Sequence, residues 1–71
     1  MKDRTQEIIW QLENELNTLD NAYVVGDYEL TLSNLGMDVR RMNQDQLREE
    51  YKKVVMRIFE IQSLLNVDNS N

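Results

Sequence analysis

The side chains that could make or break bonds in this 71-residue chain are few: Ser33, Ser63 and Ser70, three threonines, the lysines, and 13 aspartates and glutamates. Neither cysteine nor histidine occurs. That removes thiolate nucleophiles, imidazole acid/base chemistry, disulfides and the commonest transition-metal ligands. No serine has a base of the histidine type to take its proton, which excludes serine-hydrolase chemistry. A phosphate-cradling loop needs several glycines in a short span, whereas the only glycines are Gly26 and Gly36 and no Gly-Lys-Ser/Thr run follows either. The carboxylates pair no better. Glu13 and Glu15 leave a helix on different faces, Glu49 and Glu50 are sequence neighbours, and none has the spacing of a calcium loop. An acid/base pair would also need burial to separate two pKa values, and polar helix faces do not supply it. The expectation is a noncatalytic protein with no catalytic residue, no cofactor and no metal.

What remains is recognition, and the charge pattern gives it a direction. The net charge is −5. From Met1 to Val39 eight acids face two bases, from Arg40 to Arg57 six bases face three acids, and Glu60 and Asp68 close the chain. An acidic first half suits a basic partner surface. Trp10 lies one step off the apolar positions around it, where a large aromatic serves as core rim or as interface anchor. The expected partner-binding residues are Trp10, Glu13, Glu15, Asp20, Asp27 and Glu29. A second reading uses the basic segment, Arg40, Arg41, Arg48, Lys52, Lys53 and Arg57 around Tyr51, to bind nucleic acid. Its charges diverge on a helix, Glu49 stands four before Lys53, and the overall −5 repels a polyanion, so direct nucleic-acid binding is not the expectation.

These residues need elements to hold them. Ile9, Leu12, Leu16, Leu19 and Tyr23 recur at steps of three and four, predicting an amphipathic helix over about 3–21, with Asp3 or Thr5 as its cap. Leu47, Tyr51, Val54, Ile58, Ile61 and Leu65 predict a second such helix over 44–65, opened by an Asn43…Gln46 capping box. Between them the pattern is ambiguous. Tyr28, Leu32, Leu35, Val39 and Met42 have helical spacing and predict a helix over 27–42, capped by Asp27 and carrying Gly36 inside it at about 1 kcal/mol relative to alanine. The competing reading makes residues 23–32 a β-hairpin turning at Gly26-Asp27. Residues 67–71 form a polar tail expected to fray. The start is too polar for a signal peptide, and no run approaches the roughly 20 apolar residues of a membrane span, so a soluble, cytoplasmic protein with no membrane partner is expected.

Two resemblances bear on this. Val24-Val25-Gly26-Asp27-Tyr28-Glu29-Leu30, followed by Leu32, Leu35, Val39 and Met42, resembles the central part of the small bacterial YqgQ-like proteins over residues 23–60. The resemblance implies a compact three-helix bundle whose second helix opens at the Gly-Asp pair and whose third carries an early aromatic, here Tyr51. This chain departs in a shorter second connection and in Gly36. Leu30-Thr31-Leu32-Ser33 with Asp38 is similar to the Ser-x-x-x-Asp signature of the Spo0E-like aspartyl-phosphate phosphatases, but the interval is one residue longer. Five residues on a helix turn two side chains roughly 140° apart, so the pair loses its shared approach to a phosphoryl group.

The expected fold is thus a single all-α domain, a small three-helix bundle, with two helices flanking a hairpin as the alternative. Val55, Met56 and Phe59 widen the apolar side of the third helix beyond what three short helices hide. A homodimer with Tyr51, Val55, Met56 and Phe59 at its interface is therefore expected. The functional expectation is a small acidic regulator or inhibitor, of the kind typical of bacteriophage genes, that occupies a basic surface of a nucleic-acid-handling or defence protein.

Overall fold

A computed structural model describes residues 4–69. The elements are α1 (Arg4–Ala22), α2 (Tyr28–Asn34), a single 3-10 turn (Val39–Arg41) and α3 (Gln44–Asn69). Among the described residues every element is helical, so the three-helix bundle is the fold and the β-hairpin alternative at residues 23–32 is set aside. Glu15 meets Arg57 and Tyr23 meets Tyr51, so α1 and α3 run antiparallel. The stripes that predict these two helices are their inward faces. Leu47, Val54, Ile58 and Ile61 of α3 are buried, and Leu16, Leu19 and Tyr23 pack against the core that Leu32 completes.

The middle helix is shorter than the periodicity predicts, 28–34 rather than 27–42. It starts as expected: Asp27 is extended, and its Oδ1 accepts the Leu30 N–H at 3.0 Å. It stops at Gly36, whose φ of +84° is the left-handed conformation that glycine adopts without a Cβ penalty. The Met37 N–H donates to the Leu32 carbonyl at 3.0 Å and the Gly36 N–H to the Ser33 carbonyl at 2.9 Å, the paired bonds of a Schellman cap. Met37 then folds back against the same core as Leu32. Gly36 is the helix terminator, not an interior residue tolerated at a cost. Past it, Val39 and Met42 still face inward, carried by the 3-10 turn and not by a continuation of α2.

At the start of α3 the capping box forms as expected. Asn43 Oδ1 accepts the Gln46 N–H at 2.8 Å, and Gln46 Oε1 accepts the Asn43 N–H at 3.4 Å. The helix runs four residues past the expected end at Leu65, so positions 67 to 69, expected to fray, are helical, while the rest of that tail lies outside the described residues. At 1.5 Å per residue α3 is about 39 Å long, α1 about 28 Å and α2 only about 10 Å. In a molecule of 47 × 22 × 16 Å, α2 therefore roofs one end of an antiparallel helical pair and leaves the other end as two helices. None of these helices is long and apolar enough to cross a membrane, among the described residues.

Candidate partner-binding face

The outer side of α1 carries a second stripe. Trp10, Glu13, Asn17 and Asp20 follow at steps of three, four and three, and all are exposed, Trp10 to 64%. At 100° per residue Trp10 leaves the helix roughly 140° from the middle of the buried stripe, so it is not a core-rim residue. From Trp10 to Asp20 the face extends about 15 Å. It therefore presents one indole and two carboxylates along a rigid rod.

Glu15, expected in the same surface, is turned the other way. Its Oε2 accepts Arg57 Nε at 2.7 Å and its Oε1 accepts the second guanidinium nitrogen at 2.9 Å, a bidentate clamp between α1 and α3. Arg57 also donates to Glu60 at 2.7 Å. The Arg57 hydrogen bonds hold the Glu15 carboxyl below its ordinary range against a smaller opposing effect of burial, and the two glutamates push the Arg57 guanidinium further up. The acid is thus a structural tie.

The sign of that shift sets a pH dependence. A carboxyl whose pKa is depressed on folding contributes stability that is complete above its unfolded value and is lost as pH falls through the folded one. Urea midpoints of the wild type should therefore drop as pH is lowered from about 5 to about 3, and Glu15→Gln should start lower near neutrality and show a shallower acid limb. Parallel pH profiles for the two proteins would remove the clamp from the account.

The remaining expected residues divide. Asp27 is occupied as the α2 cap, and it lies with Glu29, Leu30, Ser33 and Val39 around a shallow hollow on the α2 side. Tyr51, expected at a dimer interface, is half-buried within the subunit. Its ring stands 4.5 Å from that of Tyr28 and 5.7 Å from that of Tyr23, centroid to centroid. Its hydroxyl accepts the Gly26 N–H at 3.0 Å and shares a 3.2 Å hydrogen bond with the Tyr23 hydroxyl. That bond, together with burial, raises the Tyr23 phenol above its ordinary value. Val55 is half-buried, while Met56 and Phe59 are 60% and 66% exposed.

Ser33 and Asp38 lie on opposite sides of the Gly36 turn, Ser33 on α2 and Asp38 paired with Arg41 at 3.5 Å. Within the basic segment, Lys53 pairs with Glu50 at 3.3 Å rather than with the Glu49 that spacing suggests, and Arg57 is held by Glu15 and Glu60. Arg40, Arg48 and Lys52 are left exposed, spread over the 3-10 turn and two turns of α3. Comparison with known proteins finds no family model, no curated protein and no solved structure that matches this chain.

Proposed function

We propose that the chain is a noncatalytic protein–protein interaction module, a small acidic cytoplasmic regulator or inhibitor. It works by laying the outer face of α1 on a basic surface of a nucleic-acid-handling or defence protein. The observation that carries this reading is Trp10, exposed to 64% on a well-formed helix with Glu13 and Asp20 along the same stripe. An indole face attracts a guanidinium or ammonium, and a carboxylate one turn away can accept its hydrogen bonds, so the three side chains together suit arginine and lysine. Exposed tryptophan is also the residue type that most often dominates a binding energy.

The test separates this face from the fold. The tagged chain is used to retain proteins from a lysate of the source cells, beside Trp10→Ala and the pair Glu13→Lys with Asp20→Lys. Glu15 is left intact because it holds the helices together. Both variants should keep the wild-type circular dichroism and lose the same retained protein. In titration against that protein, Trp10→Ala should weaken binding by about 30-fold, the size expected for a central aromatic anchor. Raising salt should weaken it further, since exposed charges are screened over about 8 Å at physiological ionic strength. Retention unchanged by both variants would refute the reading.

A further inference from the structure

A second exposed surface lies on α3, separate from the α1 stripe. Met56 and Phe59 stand three residues apart on the side of α3 opposite the buried Leu47 to Ile61 seam. With Lys53, Arg57 and Glu60 they line a shallow, largely apolar hollow. We propose that this face is covered by α3 of a second copy, packed antiparallel about a two-fold axis that passes between Met56 and Phe59.

Two features of the face select that occupant and that direction. In the antiparallel arrangement Met56 of each copy meets Phe59 of the other, so one thioether–aromatic contact is made twice, as a self-complementary interface requires. The charges then agree. Lys52 and Lys53 lie one turn before Met56 and Glu60 lies just after Phe59, so each basic turn faces the partner turn that carries the acid. A parallel packing would set the lysines against each other. The apolar centre is small and rimmed by charge, which corresponds to a weak, reversible dimer with a Kd on the order of tens of micromolar. This dimer leaves Trp10, Glu13 and Asp20 outside the contact, so it stands or falls separately from the proposed function.

Sedimentation of the wild type from about 1 to about 500 μM should show monomer passing to dimer. Phe59→Glu and Met56→Glu should each stay monomeric throughout with unchanged circular dichroism; because both positions are exposed, two independent variants guard against a misfolded one. Direction is read by disulfide trapping, clean here because the chain has no cysteine of its own. An equimolar mixture of Lys52→Cys and Ser63→Cys should give a cross-linked dimer, and neither variant alone should. A wild type monomeric at the highest concentration, a dimer that survives both glutamate substitutions, or Lys52→Cys cross-linking to itself would each overturn the proposal.

Discussion

Replacing Leu32 with alanine should lower the stability of the fold by about 3 kcal/mol, in the middle of the range for deleting a buried leucine side chain. Leu32 is fully buried and is the residue through which α2 enters the core formed with Leu47, Val54 and Ile58. Leu16 and Leu19 of α1, and Met37, Val39 and Met42 beyond the Gly36 turn, pack on the same core and enclose it. Alanine would leave a cavity among side chains already engaged with one another, so a cavity cost adds to the lost transfer free energy. A domain of this size has roughly 4 to 10 kcal/mol of total stability, so the loss is about 30% or more of the whole. Urea denaturation should show a midpoint lowered by more than about 1 M, from a slope near 1 to 2 kcal/mol/M. Leu30→Ala is the matched control. Leu30 is 45% exposed on the same short helix, and its truncation should move the midpoint far less. Equal losses at the two positions would contradict the packing.

Thr31→Val should cost about 2 kcal/mol although it keeps the side-chain volume and adds apolar surface. Thr31 is fully buried, and its Oγ1 does two things at once. It accepts the Val24 N–H at 2.9 Å and donates to the Val24 carbonyl at 3.1 Å, closing the connection between α1 and α2. Valine would leave the Val24 N–H without that partner, while the Val24 carbonyl keeps the Asp27 N–H at 3.1 Å, and an unmet buried polar group costs about 1 to 3 kcal/mol. Thr31→Ser keeps both bonds and loses only a methyl, about 1 kcal/mol. The order of stability, threonine above serine above valine, inverts what hydrophobicity alone would give. Amide hydrogen exchange at Val24 should quicken in the valine variant and not in the serine one. A valine variant as stable as the wild type would mean that the hydroxyl does not hold the connection.

How far this was legible in the sequence follows from which forces are local. The stripes of α1 and α3, the Asp27 cap and the Asn43–Gln46 box depend on residues within a turn or two of each other, and spacing alone displays them. The middle segment is subtler. Tyr28, Leu32, Leu35, Val39 and Met42 all turn inward as their period demands, but periodicity states which side chains must be covered and not the path the backbone takes. Gly36 followed by apolar Met37 is the local signal of a helix end, and it competes with the longer period across it. The Glu15 clamp had no local signal at all. Its partner Arg57 is 42 residues away, brought within reach only by the antiparallel pairing of α1 and α3. Tyr51 is similar: its spacing places it on the inner face, while the hydroxyl that reaches Gly26 belongs to tertiary geometry. Of the expected binding surface, Trp10, Glu13 and Asp20 share one exposed stripe because i, i+3 and i+10 fall together on any helix, and Glu15 leaves it for the same reason.

The placement of the aromatics divides the optical signals of the molecule between two jobs. The only tryptophan is Trp10, while Tyr23 and Tyr28 gather around Tyr51 just past the C-terminal end of α1, about 20 Å from Trp10 by helical rise. Indole emission, already that of a hydrated ring in the native chain, will hardly register the loss of the core and will respond to whatever settles on the outside of α1. Near-ultraviolet ellipticity of the phenols will do the reverse, reporting the roofed end of the bundle and staying silent about a ligand. A single sample thus carries one chromophore for association and another for unfolding, with little crosstalk between them.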